Sequence, residues 1–503
     1  MKSWKALLML AGACLIAGSL IPACNNGGGK VAIDAKAGDF DQLIRVLVER
    51  GFNVKEGLAG HFDMISRCCY PYENPRLPSC FGFNPSAPYV AAGLPDGKGQ
   101  TEHNASGLYD ASMTYSAGYR LAENEALVVA GKTPPAVAYF SYVPYLFIRL
   151  ADSGNTYDRI FATMTDTVNL LNIKSTGTPN GTGDNPFNQD MMFIVTADEV
   201  TDNRIRQAAR DAGYSESIIN TMIIPAEIAR LGLEAGRDEF MFLNRLAVPD
   251  GDQTAFNAYL EKPPLRVIRA MPGDTDTRPF ATPAVTSRTS GSTEADLETS
   301  VAALRQAILE RHADYAVEEY DTRVWIPEGR DCIAQSMACI GENHDTIYLR
   351  MPGSTTDYPV AGPKLFTLSD NPEDFLIVYG VNHASINKAL YHSVSAYGND
   401  RLNGIVTITD SAFAGSAANY IPGHENADKL FVVKVARDCS NEATDPCLEI
   451  PTGICPYADS EEYGAPLEAD LFLVTRAYVD PLTMVGPSPD EIIFDKAIHF
   501  TGK

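Results

Sequence analysis

The stretch AVAYFSYVPYLFIRL, residues 136–150, is the most informative part of the 503-residue chain for its fold. It is dense in Tyr, Phe, Val and Ile, the residue types that suit the pleated, half-buried surface of a β-strand. The apolar run at residues 126–129 precedes it, and Gly131 and Lys132 form a turn signal between the two segments. We therefore predict a hairpin of buried strands within a β-rich protein.

Strand-like segments also dominate the last third of the chain. Gly, Pro, Asn and Asp turns separate them at irregular spacing, which is typical of a β-sandwich or jelly roll rather than of βαβ winding. No repeat of fixed period is visible, which argues against a solenoid or propeller. The predicted strands in this part are residues 346–351, 375–381, 388–397, 404–409, 430–436, 470–478 and 491–494.

Helices are predicted where apolar residues recur at helical spacing. The clearest are residues 39–51, which end on a glycine, and residues 294–315, the longest. Residues 157–171, 202–213 and 215–222 are also predicted to be helical. The sequence thus indicates an α+β, β-rich fold with sandwich or jelly-roll-like sheets, several inserted helices and disulfide staples.

The N-terminal segment has the pattern of a secretory signal. Lys2 and Lys5 form a basic head, residues 6–20 form a short apolar run, and small residues precede Cys24. The sequence LIPAC at residues 20–24 resembles the lipobox of bacterial lipoproteins. The resemblance implies that the chain is cut before Cys24 and that the Cys24 sulfur carries a diacylglyceryl group, which anchors the protein to a membrane.

The residues after Cys24 fit a tethered protein. NNGGG at residues 25–29 is a flexible spacer. Asn25 stands where lipoproteins retained in the inner membrane have aspartate, so we expect the cell envelope, and in particular the outer membrane, as the location. Cys14 is a second candidate for the lipid, and an ordinary signal peptide with an incidental cysteine is the alternative. The body of the chain resembles no functionally characterised family.

A segment rich in Pro, Thr, Ser, Gly and Arg at residues 272–293 is the best internal boundary. The predicted organisation therefore has four parts. They are a signal peptide at residues 1–23, a lipidated flexible tether at 24–38, an N-terminal α+β domain at 39–275, and a C-terminal helix plus β-rich domain at 294–503.

The charge balance excludes two classes of partner. With 40 Lys and Arg against 64 Asp and Glu, the formal net charge is −24. Nucleic-acid binding requires clustered basic residues, so no nucleic-acid partner is expected. Electrostatic docking to anionic lipid is disfavoured for the same reason, which leaves the N-terminal lipid as the predicted membrane contact.

Cysteine usage indicates an oxidising compartment. The chain has ten cysteines, and the eight that follow Cys24 fall into three local groups within loop-like sequence. An even number in an exported protein predicts disulfides, and we expect Cys332 and Cys339 to form one local bridge. The spacing typical of a zinc knuckle is absent, and we predict no metal and no cofactor. The eight are Cys68, Cys69, Cys80, Cys332, Cys339, Cys439, Cys447 and Cys455.

His383 is the candidate catalytic residue, because it stands next to Asn382 at a predicted strand end, where site residues collect. It is predicted to pair with His344 and Asp345, or with His424 and Glu425, as a general base or metal cluster. Asn382 and His383 are also candidate ligand contacts.

His392 lies on the apolar face of the predicted strand at residues 388–397, because residues two apart share a face. It shares that face with Leu390, Val394 and Ala396, whereas Tyr391 and Tyr397 lie on the other. We interpret His392 as a core histidine.

Two further candidates lie in the opening stretch. An aromatic platform with one basic group suits a sugar or a carboxylate, which makes Tyr145 and Arg149 candidate ligand contacts. The alternative is that these residues belong to the sheet core and its cross-strand pairs.

Two functions remain open at this stage. The first is a membrane-anchored envelope lipoprotein with a binding or scaffolding role. The second is an exported hydrolase that uses a His/carboxylate site in the C-terminal half.

The lipid anchor is tested by the Cys24→Ala substitution. The wild-type protein is expected in the membrane fraction and the variant in the soluble fraction, because the acyl chains supply the anchoring energy. Cys14→Ala is the matched control and should stay with the membrane. A Cys24→Ala protein that still partitions with membranes would refute the anchor.

Overall fold

The computed structural model describes residues 35–64, 79–100, 109–110, 115–154, 156–273, 276–353, 365–440, 444–453 and 463–503. The predicted signal peptide, Cys24 and nearly all of the predicted tether lie outside these ranges. From Ala35 to Lys503 the chain forms one compact unit. Several β-sheets, a few helices and two described disulfides confirm the predicted fold class.

Helices make up the smaller part of the described structure. The α-helices are α1 (Phe40–Glu49), α2 (Glu199–Asp211), α3 (Gln253–Glu261), α4 (Glu298–Arg311), α5 (Gly329–Ala334) and α6 (Asp410–Phe413). Short 3₁₀ segments lie at Pro179–Gly181, Glu216–Ile218, Ala295–Leu297, Ser416–Asn419 and Ala427–Lys429.

Strands fall into two series along the chain. The first series is β1 (Asn53–Glu56), β2 (Leu58–Phe62), β3 (Tyr89–Gly93), β4 (Tyr109–Asp110), β5 (Tyr115–Ser116), β6 (Ala126–Lys132), β7 (Val137–Leu150), β8 (Tyr157–Asp158), β9 (Ala162–Thr163), β10 (Val168–Asn169), β11 (Asp190–Thr196), β12 (Ile219–Ile223), β13 (Glu239–Pro249) and β14 (Leu265–Met271). The second series is β15 (Ala316–Tyr320), β16 (Arg323–Val324), β17 (Thr346–Met351), β18 (Phe375–Val381), β19 (Tyr391–Gly398), β20 (Asn403–Thr409), β21 (Leu430–Ala436), β22 (Cys447–Glu449), β23 (Leu471–Tyr478) and β24 (Lys496–Thr501).

In the described part of the chain, four large sheets stack between two layers of helix. In order, sheet I is β1-β14-β6-β11-β12, sheet II is β10-β7-β13-β3-β2, sheet III is β16-β17-β23-β19-β20 and sheet IV is β15-β24-β18-β21-β22. Helices α1 and α2 cover the outer face of sheet I, and α4 covers the outer face of sheet IV. One apolar core joins sheets I, II and III, and another joins sheets III and IV.

The same topology occurs twice along the chain. In residues 40–271 a helix leads into an edge strand (β1), which pairs with the last strand (β14) of that span. In residues 298–501 helix α4 leads into β15, which pairs with the last strand β24. Both outer sheets end in a parallel pair, β11–β12 and β21–β22, and otherwise their paired strands are antiparallel. We call these spans the first and second repeats.

Sequence motifs confirm that the repeats correspond. CFGFNPSAPY at residues 80–89 and CIGENHDTIY at residues 339–348 share Cys, Gly, Asn and Tyr at the same spacing. Gly82 and Gly341 both have positive φ, +58° and +80°, a backbone conformation that glycine adopts at little cost. The two stretches form equivalent turns, which lead into the equivalent strands β3 and β17.

The strands beside this turn share their register. Arg245 on β13 lies opposite Tyr89 and Ser141, and Arg476 on β23 lies opposite Tyr348 and Ser393. These pairings align YFSYVPY at residues 139–145 with YHSVSAY at residues 391–397. The repeats can therefore be compared residue by residue.

The two repeats hold each other by reciprocal contacts. Arg245 of the first repeat donates to the carbonyl of Gly341 at 2.8 Å, and Arg476 of the second donates to the carbonyl of Gly82 at 2.9 Å. The backbone amides of these two glycines also donate across the junction, Gly82 to Leu402 and Gly341 to Phe161, each at 2.8 Å. The division into domains at 39–275 and 294–503 stays a prediction, while these contacts make the repeats parts of one core.

The predicted hairpin is wrong, because β6 pairs with β11 and β14 in sheet I, whereas β7 pairs with β13 in sheet II. Three predicted elements are also wrong. Residues 157–171 are not a helix but contribute the short strands β8, β9 and β10, all of which pair with β7. Residues 215–222 form a 3₁₀ turn and β12. Residues 491–494 are not a strand, and the last strand is β24. For the two predicted helices, sheet pairing overrides the local helical pattern.

We predict that both junction arginines are needed for stability. Arg245→Met or Arg476→Met should each lower the free energy of unfolding by about 1–3 kcal/mol, because a buried carbonyl loses its donor. The exposed Arg266, which pairs with Asp41 and Glu56, provides the control variant Arg266→Met, with an expected loss below about 1 kcal/mol. Urea unfolding measures the loss of unfolding free energy for all three variants. Losses in Arg245→Met and Arg476→Met no larger than that in Arg266→Met would contradict the reciprocal junction.

Candidate functional site

A disulfide-stapled segment carries the most distinctive polar group of the second repeat. The predicted Cys332–Cys339 bridge is confirmed, with a Cα–Cα separation of 5.9 Å. The bridge ties α5 to the turn before β17, which brings Glu328, Glu342 and His344 together. One carboxylate or ring atom from each of these three lies within 4.8 Å of the others.

A cleft of about 320 Å³ opens beside this group at the junction of the repeats. The first repeat contributes one wall and the second repeat the other, with Val285 from the connecting segment between them. Because both repeats form the cleft, its shape depends on the reciprocal junction. Its lining is Thr163, Met164, Thr165, Val285, Glu328, Gly329, Arg330, Asp331 and His344.

Glu328 is held as an ionised carboxylate. Its Oε1 accepts from Arg288 Nε at 2.6 Å, and its Oε2 accepts from His344 Nδ1 at 2.9 Å. Burial opposes ionisation, but the hydrogen bond from His344 and the charge of Arg288 outweigh it and lower the pKa of Glu328 to about 2. This carboxylate stays charged at every physiological pH.

Glu342 has the opposite environment. It is almost completely buried, and its Oε2 accepts from the Thr163 hydroxyl of the first repeat. Its Oε1 has no hydrogen-bond partner within the described part of the chain. Burial, and then the negative charge of Glu328, raise the pKa of Glu342 to about 7. One carboxylate of the pair is thus always ionised, and the other titrates near neutrality.

His344 links the cleft to the pair. Its Nε2 donates to the carbonyl of Thr286 at 2.9 Å, and its Nδ1 donates to Glu328. Burial favours the neutral ring, but the hydrogen bond to Glu328 raises the pKa of His344 above its usual value. Asp166 adds a second carboxylate 3.7 Å from Nε2. Because both ring nitrogens donate, His344 is in its protonated, positively charged form.

The first repeat shows that the turn does not need these charges. At the positions of Glu342 and His344 it has Phe83 and Pro85, in the same ten-residue motif. Phe83 is buried in the main core. The backbone turn is thus compatible with apolar residues, and the ionisable groups of the second repeat require an explanation other than folding.

A second polar group lies inside the sandwich of sheets III and IV. His383 follows β18, His392 is on β19 and Asp495 directly precedes β24, and all three are buried. His383 Nδ1 donates to Glu294 Oε1 at 2.6 Å. His392 Nε2 lies 3.2 Å from Asp495 Oδ2. One nitrogen of each ring and one Asp495 oxygen lie within 4.8 Å of one another, a spacing that a metal ion can bridge.

The predicted pairing partners of His383 differ from those in the structure. His383 lies against Glu294, Asp495 and His392, the last with ring centroids 4.6 Å apart, whereas His344 bonds to Glu328 and Thr286. His424 accepts from the Asn426 amide in its own turn. A catalytic role for the fully buried His383 stays a prediction.

His392 lies on the face that the sequence predicts. Val394 and Ala396 belong to the core between sheets III and IV, and the His392 ring packs on Phe413 and Phe431 of the same core. The strand alternation is therefore confirmed.

The remaining predicted ligand contacts are buried among protein partners. Arg149 forms an ion pair with Asp238 at 2.6 Å, and the Tyr145 hydroxyl accepts from Arg245. Asn382 is buried beside His383. Sequence reasoning missed Glu328 and Glu342, although both flank the predicted disulfide. Their positions on either side of Cys332 and Cys339 were the available signal.

No protein-family model matches the chain, and the search of curated proteins finds no match. Among the described residues, the helices are all too short or too polar to cross a bilayer.

The environment of Glu342 predicts a pH-dependent stability. Because its pKa is about 7 in the folded protein and 4.5 ordinarily, the folded state binds this proton more tightly than the unfolded state. Its contribution is therefore complete below pH 4.5 and is lost as the pH rises through 7, a change of about 3 kcal/mol.

Glu342→Gln, which mimics the protonated carboxyl, removes this dependence. Urea unfolding at pH 4.5 and pH 8 should show wild type losing about 3 kcal/mol relative to the variant. Glu319→Gln, which alters an exposed Glu–Arg pair, is the control and should follow the wild type. Parallel pH profiles for wild type and Glu342→Gln would contradict the raised pKa.

Proposed function

We propose that this protein is a lipid-anchored lipoprotein of the bacterial cell envelope that binds a small polar ligand at the cleft beside Glu328 and His344. The anchor is Cys24, and the outer membrane is the proposed location. The cleft at the junction of the repeats is the observation that carries the binding role.

Disulfides in the folded body support export. Cys332–Cys339 and Cys439–Cys447 are both formed, and Cys80 is also disulfide-bonded. Such bonds persist in the periplasm and at the cell surface but are rare in the reducing cytosol. Their presence agrees with the signal-like N-terminus, which lies outside the described residues.

The composition of the cleft supports a polar ligand. Junctions between structural units are common ligand sites, because they are concave and can combine groups from both units. Here Thr163 and Thr165 line one side and Glu328 and His344 the other, and Met164 and Val285 add apolar surface. This mixture suits a small solute with charged or hydroxyl groups beside a short apolar part.

The hydrolase hypothesis has one specific observation in its favour. Glu328 and Glu342 have pKa values of about 2 and about 7 in one His/carboxylate group of the C-terminal half. Paired carboxyls whose pKa values are pushed apart are the usual arrangement for a general acid beside an ionised partner. Glu342 itself is buried, next to Gly329 of the cleft wall. A buried acid has no direct access to a ligand in the cleft, so we propose binding as the first function.

Ligand binding is tested with a panel of amino acids, small amines and short oligosaccharides. We expect at least one class to bind, and Glu328→Gln to weaken it about tenfold or more, because a charged hydrogen-bonding group is lost. Glu319→Gln removes a carboxylate from a similar half-exposed Arg pair and should leave affinity unchanged. Isothermal titration calorimetry provides the measurement.

The same panel separates the two functions. A binding protein keeps its affinity in Glu342→Gln and turns over neither a chromogenic ester nor a chromogenic glycoside. Hydrolysis that Glu342→Gln abolishes would establish the enzyme instead. Equal affinity of wild type and Glu328→Gln, or no binding to any panel class, would contradict the proposed cleft.

A further inference from the structure

We propose that His383, His392 and Asp495 bind a divalent metal ion within the sandwich of sheets III and IV, and that zinc fits the site best. This site is separate from the ligand cleft and does not depend on the proposed function. It also departs from the expectation of no metal that the cysteine pattern supports.

The orientation of His383 is that of a metal ligand. Glu294 Oε1 accepts from Nδ1 at 2.6 Å, and Glu294 Oε2 in turn accepts from the amide of Ile493 at 2.7 Å. With Nδ1 as donor, the Nε2 lone pair points away from Glu294 and has no hydrogen-bond partner within the described chain. A carboxylate behind a ligating histidine is the common supporting arrangement at zinc sites.

The spacing of the facing atoms fits a bridging ion. His383 Nε2 and Asp495 Oδ1 lie 3.8 Å apart, which is too far for a hydrogen bond. His392 Nε2 and Asp495 Oδ2 lie 3.2 Å apart. Zinc with bonds of 2.0–2.2 Å in tetrahedral geometry separates its ligand atoms by about 3.3 Å. The two separations involve different oxygens of Asp495 and bracket that value. One atom from each of the three side chains already lies within 4.8 Å of the others, so small side-chain adjustments bring them onto one ion.

The charge balance favours a divalent cation. Glu294 and Asp495 bring two carboxylates into a buried site, where uncompensated charge is costly. Lys388, whose charge acts on His383, is engaged by carboxylates of its own, Asp480 at 2.9 Å and Glu491 at 2.7 Å. With neutral imidazoles, Glu294 and Asp495 therefore match one divalent ion. Two nitrogens and one carboxylate oxygen are also ligands that zinc prefers.

The first repeat provides an internal comparison. The register that aligns Ser141 with Ser393 places Phe140 at the position of His392. The pairing of β14 with β6, and of β24 with β18, places Leu265 at the position of Asp495. The same sandwich is thus stable with Phe and Leu, so folding alone does not require His and Asp there.

The burial of the three ligands assigns the ion a structural role. His383, His392 and Asp495 are at most 1% exposed. An ion held there is shielded from solvent and contributes its binding free energy to folding. It would tie the end of β18 and the start of β24 to the start of β19.

The full mature protein, dialysed against zinc and then freed of unbound metal, is expected to retain one zinc ion per chain by elemental analysis. Chelation should lower its unfolding temperature by about 5 °C or more, because the ion stabilises only the folded state. Cobalt loading should give the visible absorption of tetrahedral Co²⁺. A protein that retains no zinc overturns the proposal. An unfolding temperature that the chelator leaves unchanged also overturns it.

Variants assign the ligands. His392→Phe combined with Asp495→Leu copies the first repeat, so it should fold and lose the zinc. His383→Gln keeps a donor for Glu294 and should also lose it. His499→Gln changes another histidine of sheet IV that bonds a carboxylate, and should retain the zinc. Retention of zinc by both the double variant and His383→Gln would overturn the assignment. Loss of zinc from His344→Gln instead would also overturn it.

Discussion

Two buried arginines, Arg245 and Arg476, govern how this protein is assembled. Each sits on the central strand of an inner sheet and donates to a glycine carbonyl of the other repeat. Burying a guanidinium group is unfavourable unless its N–H donors are satisfied. Here aromatic rings beside each guanidinium also stabilise its charge. Arg476 lies 5.2 Å from the ring centres of Tyr348 and Tyr397, and Arg245 lies 5.4 Å from that of Tyr89. The junction is therefore specified by matched pairs rather than by apolar contact alone.

This junction explains why the two repeats can differ in chemistry while sharing a framework. The shared residues set the turns, the strand register and the cross-repeat hydrogen bonds. Ionisable residues replace apolar ones at positions that the framework leaves open, as Glu342 does at the position of Phe83 and His392 at that of Phe140. Both polar groups lie in the second repeat, one beside the junction cleft and the other inside its own sandwich. The first repeat contributes one wall of the cleft. Its apolar residues at the equivalent positions show that the fold does not require ionisable residues there.

Much of the fold was accessible from the sequence because it depends on local pattern. The strand at residues 136–150, the alternation around His392 and the Cys332–Cys339 bridge all follow from short-range composition and spacing. Residues 157–171 were assigned wrongly because pairing with β7 outweighs their weak helical pattern. The duplication was missed since the repeats share only scattered framework residues, with connections of different length between them.

The polar groups were harder to predict, because their members are distant in sequence. His383 meets Glu294 and Asp495 only after β18, β19 and β24 have assembled, and Glu342 meets Thr163 only across the junction. These residues are too far apart in sequence for a short motif to connect them.

The central claim is that one duplicated framework carries both of its described His/carboxylate groups in the second copy. Anomalous diffraction at the zinc absorption edge, from a crystal of the full mature protein grown with zinc, tests it most directly. The account predicts one strong peak between His383, His392 and Asp495, and none beside Phe140 and Leu265. A peak in the first repeat, or an empty site among the three second-repeat ligands, would contradict it.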